Sequence, residues 1–136
     1  MNAIQDIIDE LRESSNPSSF GLELPSEDDL VLVEEEILLP IPQDVKQFLL
    51  EVSDLLIGSL EPVTVADSGS HTHLPEVTAN AWEMGLPREY MPICQKGGAF
   101  YCVNESGEIS FWHDGEFSDE HWEGIWSWAE EVWLHS

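Results

Sequence analysis

MPICQKGGAFYCVNESGEISFWHDG, residues 91–115, is the stretch whose reading decides the fold. Met91–Lys96 is apolar and ends at Gly97-Gly98, a dipeptide that tolerates positive φ at both positions of a hairpin turn. Ala99–Asn104 follows, rich in aromatic and branched residues. Glu105-Ser106-Gly107 turns the chain again, and Glu108–His113 completes a meander that Asp114-Gly115 stops. Three adjacent antiparallel strands with an apolar face can anchor a domain, where one hairpin is marginal.

The flanking segments supply helices that need such a surface. Ile4, Ile7, Ile8 and Leu11 recur at helical spacing and predict a short helix ending before Ser14-Ser15-Asn16-Pro17. Residues 14–25 read as a loop, with a short extended piece at Phe20, Leu22 and Leu24. Ser26 with Asp29 forms a capping-box pair for a second helix, whose buried stripe is Leu30, Val33 and Ile37. Glu34-Glu35-Glu36 falls mainly outside that stripe, and Pro40 ends the helix. Pro42 suits the first turn of a third helix with Val45, Phe48, Leu49, Val52, Leu55 and Leu56 on one face and Gly58 as its stop. Leu60–Val65 alternates like a strand, and Pro62 confines it to a sheet edge. Residues 66–75 form a polar loop, and Pro75–Met84 a short helix ending at Gly85, with Trp82 facing inward.

Ser118–Leu134 reads as a closing helix capped by Ser118, with Asp119 and Glu120 in its first turn. Trp122, Trp126, Ala129 and Trp133 fall within one arc, Ile125 and Val132 widen it, and Trp128 lies off its centre. The order of elements predicts an α+β fold: an antiparallel sheet, made of the meander at about 91–113 and an edge strand at about 60–65, with helices packed on one side. The 136 residues suit a single domain over 1–136, in which 1–21 is an N-terminal helix and loop.

Charge is the main compositional anomaly. Twenty-eight acidic residues against four basic ones give a formal charge of −24. Such a field repels phosphates and anionic bilayers, so binding to nucleic acid or membrane is not expected. It steers a basic protein partner. The alternative is an acidic surface kept only for solubility or salt adaptation. Six Trp and five Phe supply enough buried area to exclude a disordered acidic tail. The amphipathic, acidic start lacks the pattern of a secretory signal, so a cytoplasmic location with Cys94 and Cys102 as thiols is expected.

Four groups of residues merit a chemical reading. His71-Thr72-His73, with Asp67 nearby, has two imidazoles that can share a metal ion, but nothing marks a further ligand, and the same residues suit a solvated loop. Cys94 and Cys102 lie on opposite faces if Gly97-Gly98 is a two-residue turn, and become cross-strand neighbours if the loop has three residues. Cys102, His113 and Asp114 carry the residue types of a nucleophile, base and orienter, without any local signature of an enzyme. Trp112 shares a strand face with Ser110, and lies on the open side of the sheet if helices cover Ile109 and Phe111. An exposed Trp among carboxylates anchors a basic partner, while a buried one is core.

SEDDLVLVEEEILLPIPQDVKQFLLEV, MPICQKGGAFYCVNESGEISFWHDG and EGIWSWAEEVWL stand in the order of the corresponding pieces of the SUKH superfamily, the Smi/Knr-like proteins, which this chain resembles over about residues 22–134. Ala99 follows the turn glycine where that family often has an acid. The resemblance implies an α+β domain without catalytic residues or cofactors. It implies a binding role: bacterial members are immunity proteins that neutralise a polymorphic toxin, often a nuclease, and fungal members regulate cell-wall synthesis through protein contacts. Together with the charge, it points to an immunity protein for a basic, nuclease-type toxin. The expected interface comprises Trp112, Asp114, Glu116, Asp119, Glu120 and Glu123, with Glu34-Glu35-Glu36 as a second choice. A regulatory adaptor of the same fold, or a metal protein using His71 and His73, is the alternative.

Overall fold

Tight turns set the sheet. In the computed structural model, which describes residues 3–15, 24–66 and 69–136, the strands β1 (Met91–Lys96), β2 (Ala99–Val103), β3 (Ile109–His113) and β4 (Glu116–Trp122) form one antiparallel sheet in that order. Lys96 pairs with Ala99, so Gly97-Gly98 is a two-residue turn and Cys94 faces Tyr101. A bulge at Ile93 then places Pro92, rather than Ile93, opposite Cys102. The second turn is built on Asn104, whose side-chain oxygen accepts from the backbone N–H of Ser106 and Glu108 at 3.0 and 3.1 Å.

The fourth strand corrects the expected helix over 118–134. Asp114 and Gly115 adopt φ of +53° and +83°, the backbone of a two-residue hairpin turn, and His113 pairs with Glu116 across it. The chain therefore runs back along β3 through Trp122, which pairs with Ile109. Ser118 does not cap a helix; its hydroxyl accepts from the N–H of Glu120 at 3.1 Å inside a bulge between the Trp112–Phe117 and Ser110–His121 pairs. Helix begins only after the extended Gly124, as α5 (Ile125–Trp128). It continues as a π-helical segment, Ala129–Trp133, with Leu134 N–H bonded to the Ala129 carbonyl at 2.8 Å.

The remaining helices are α1 (Ala3–Ser14), α2 (Glu27–Ile37), α3 (Gln43–Val52) and α4 (Leu74–Glu83). The capping box of α2 forms as the residues predict: Asp29 N–H donates to the Ser26 hydroxyl, and Ser26 N–H donates to the Asp29 carboxylate. Leu30, Val33 and Ile37 are buried on its inner face, as are Val45, Phe48, Leu49 and Val52 on α3. Helix α3 stops at Val52, short of Gly58, and the buried Ser53 hydroxyl donates to the Leu49 carbonyl at 2.6 Å where the chain leaves the helix. Leu55 and Ile57 stay in the core beyond the helix end. The 60–65 segment joins the outer edge of β1 at isolated points rather than as a continuous strand: Pro62 bridges Cys94, and Val63 N–H donates to the Ile93 carbonyl at 2.8 Å.

The result is an α+β fold with the helical layer on one side of the sheet. Helix α1 packs on α3, α2 on α4, α3 on α5, and α4 along β1. Phe48 is the hub of this layer. Its ring lies 5.5, 6.4 and 5.4 Å from those of Trp126, Trp128 and Trp133, and Trp128 reaches the sheet at Tyr101, 5.4 Å away. Trp128, the last residue of α5, is fully buried between Phe48 and Tyr101, just ahead of the π segment. The other sheet face is closed by the turn after α4, where Gly85 abuts the Trp112 ring.

Gly58 has φ of +57°, and a Cβ there would collide with the backbone and hydroxyl of Ser136. Ser136 in turn donates to the Ile57 carbonyl at 3.2 Å. Gly58→Ala is expected to cost about 1–2 kcal/mol through left-handed strain alone. A thermal melt of the variant that matches the parent would show that this glycine is not required.

Candidate functional site

The expected interface residues are brought together, apart from Trp112, on one edge of the sheet. Among the described residues β4 pairs with β3 alone, so its outer backbone groups face away from the sheet. Glu116, Phe117, Ser118, Asp119, Glu120 and His121 are all exposed along it, with Asp114 at the hairpin tip and Glu123 just beyond its end. Residues 97–136 contain nine acidic residues and no Lys or Arg. Three of the four basic side chains lie off the sheet: Lys46 pairs with Glu34 at 3.6 Å, Arg12 with Asp54 at 3.9 Å, and Arg88 stacks over Trp82 at 5.1 Å, while Lys96 ends β1 in the same cross-strand row as Ala99, His113 and Glu116. The bulge at Ser118–Glu120 twists the strand and interrupts its pairing. Acids and a bulge on an edge strand also protect it from pairing with another sheet.

Trp112 is not a surface anchor. It is 1% exposed, stacked 6.1 Å from Phe100 and covered by the turn at Gly85. The expectation of an open sheet face fails because the chain between α4 and β1 folds over that face. Phe117, paired across from Trp112 on β4, is the aromatic that reaches solvent instead: it is 41% exposed, with one side of its ring held 4.7 Å from Tyr90. The missed signal was Asp114-Gly115, a strong hairpin dipeptide, followed by a stretch with aromatics at 117 and 122.

The other candidate groups come apart. Cys94 and Cys102 are free thiols, buried in the sheet. Burial pushes both up to about 12. Cys102 donates weakly to the Ser110 carbonyl at 3.6 Å, on the Trp112 face, while His113 stands exposed at the hairpin end of β3, 3.4 Å from Asp114. Alternation along β3 puts Ser110 and His113 on opposite faces, so Cys102, His113 and Asp114 do not meet. A protonated, shielded thiol is also a poor nucleophile.

His71 and His73 are divided by their backbone. Thr64 N–H bonds the Thr72 carbonyl and Leu74 N–H bonds the Thr64 carbonyl, both at 2.8 Å, which pins the loop to the 60–65 segment. His71 points into an open groove of about 330 Å³ lined also by Ser59, Glu61, Thr72 and Gln95, and pairs with Glu61 at 2.8 Å. His73 precedes α4, with Nδ1 buried and without a partner. Asp67 lies outside the described residues. Among the described residues, no three His, Cys, Asp or Glu side chains converge on a metal-sized site.

A protein-family model described as SUKH_5, SMI1-KNR4 cell-wall, matches residues 4–134. Among solved structures, the chain is similar to one described as the crystal structure of a protein from Pseudomonas syringae pv. tomato. The two share 52% identity over 97% of this chain and 99% of that one, with a TM-score of 0.93. No curated protein matches the chain. No helix among the described residues is long and apolar enough to cross a membrane.

Proposed function

The chain belongs to the SMI1-KNR4 family, a SUKH superfamily domain, and from that premise we propose that it acts by stoichiometric protein binding, as a cytoplasmic immunity protein that neutralises a basic, nuclease-type toxin. The observation that carries this reading is the β4 edge, where carboxylates surround the half-exposed Phe117 within a 40-residue run free of Lys and Arg. A cationic active-site cleft built for phosphate meets there the charge and spacing of a polyanion. Attraction between the two accelerates encounter and falls with ionic strength. Phe117 supplies the apolar centre, and Asp114, Glu116, Asp119, Glu120 and Glu123 the charged surround. Family resemblance implies the same binding role without catalysis. The family's cell-wall description supports a second reading, a regulatory adaptor that uses this surface on a different partner.

The test is capture of partners from a lysate of the encoding organism, with the wild type and the Asp119→Lys/Glu120→Lys variant as baits. The expected result is a basic toxin domain recovered one-to-one at low salt, less at moderate salt, and at least about tenfold less by the variant. Equal recovery by both baits would remove β4 from the interface. Recovery of a non-toxin partner would favour the adaptor reading.

A further inference from the structure

The outer face of α2 carries a second anomaly, unrelated to the β4 edge. Leu38, the residue after the helix, is 85% exposed and has φ of +59°. That left-handed position ordinarily takes Gly or Asn, because a bulky side chain is strained there. The chain nevertheless holds it firmly. Leu38 N–H bonds the Glu34 carbonyl at 2.9 Å, while the Glu34 carboxylate accepts from Ile41 N–H at 2.7 Å and pairs with Lys46. Val31 and Leu32, about two turns earlier, are 50% and 63% exposed. Helical spacing places them opposite the buried Leu30, Val33 and Ile37, on the same arc as the exposed Asp28, Glu35 and Glu36. Three large aliphatic side chains thus face outward, interleaved with the carboxylates of Asp28, Glu35 and Glu36. Isolated surface leucines need no explanation, but three aliphatics on one outer face, one of them held exposed on a strained backbone, do.

We infer that the Val31–Leu32–Leu38 strip is a docking face for a protein partner that offers an apolar ridge flanked by Lys or Arg. Charge decides among the possible occupants. A second copy would bring two acidic rims together, and an anionic bilayer would be repelled by the same carboxylates. A cationic amphipathic surface satisfies both the strip and its rim. This surface lies on the helical layer, so the inference stands or falls independently of the β4 reading.

The probe is a 14-residue amphipathic peptide of Leu and Lys, compared with a Ser/Lys peptide of equal charge and with a Leu/Glu peptide. Amide NMR shifts and titration calorimetry of the full chain give the footprint and the affinity. The expected footprint is residues 28–39, with at least about tenfold weaker binding of the Ser/Lys peptide and no response to the Leu/Glu peptide. Leu38→Gly is expected to weaken Leu/Lys binding about tenfold or more while raising the melting temperature by about 3 °C, because it removes the strain together with the contact. A variant that merely misfolds cannot give that pair of results. Leu32→Ser should weaken binding without altering the melt. The inference is overturned by unchanged binding in Leu38→Gly, or by a footprint confined to residues 114–123. A dimer of the free chain that Leu38→Gly dissolves would overturn it in favour of a second copy. Shifts at Leu32 on Phe20→Ser, with no peptide response, would overturn it in favour of the chain's own residues 16–23.

Discussion

Phe48→Ala lowers the stability of the chain by about 3–5 kcal/mol, the largest loss expected from a single substitution here. The ring is buried and touches three indoles, two of them in the π segment's turns or at its start, so its removal opens a cavity at the junction of α3, α5 and the sheet. The indole N–H groups of Trp126, Trp128 and Trp133 have no hydrogen-bond partner, so ring packing rather than polar pairing holds this cluster together. A domain of this size has roughly 5–15 kcal/mol in total, so the variant approaches the unfolding threshold at room temperature. Urea denaturation followed by tryptophan fluorescence checks it: the midpoint falls at unchanged slope. Trp128→Phe keeps a ring in place and removes an unpaired donor, so it costs less. A Phe48→Ala loss below about 1 kcal/mol would show that the Trp cluster does not concentrate the core's stability.

Stability also falls steeply in alkali, through the two thiols. Both are pushed from near 9 to about 12, chiefly by burial; for Cys94 a backbone hydrogen bond from the Glu61 region and the Lys96 charge partly oppose this. The folded state holds these protons more tightly than the unfolded chain. Their contribution is therefore complete below pH 9 and is lost as pH rises from 9 toward 12. Each thiol loses about 1.4 kcal/mol per pH unit in that window, so the two together lose roughly 3 kcal/mol by pH 10. Tyr101, also raised mainly by burial, acts in the same direction at higher pH. Urea midpoints at pH 7 to 10 for the parent and for Cys94→Ala/Cys102→Ala isolate the effect: the parent declines more steeply. Parallel declines would exclude the thiols as its cause.

Local signals were enough for much of the fold. The Gly97-Gly98 turn, the Ser26–Asp29 capping box, the α2 stripe and the α3 stripe as far as Val52 each depend on residues a few positions apart, and each is present. The last quarter of the chain departs from the expected helix for a physical reason. A helical arc through Trp122, Trp126 and Trp133 fits the spacing, but Asp114-Gly115 reverses the chain first and commits 116–122 to the sheet. Spacing cannot weigh a turn against a periodicity when both are satisfied. The π segment is illegible for a similar reason, because a widened turn leaves the order of apolar residues unchanged.

The acidic balance, the family and the α+β class were determined by the sequence itself, because they depend on composition, local turn chemistry and family resemblance. Which side chains reach the surface was decided only by the tertiary structure. Trp112 and Phe117 are both aromatic and share one sheet face, but the turn at Gly85 covers the first and leaves the second half in solvent. Leu38 and Leu39 are identical neighbours in sequence, but the first is exposed on a left-handed backbone while the second packs against the core. Exposure is set by what a distant part of the chain packs against, and no residue carries that information in its own identity or in that of its neighbours.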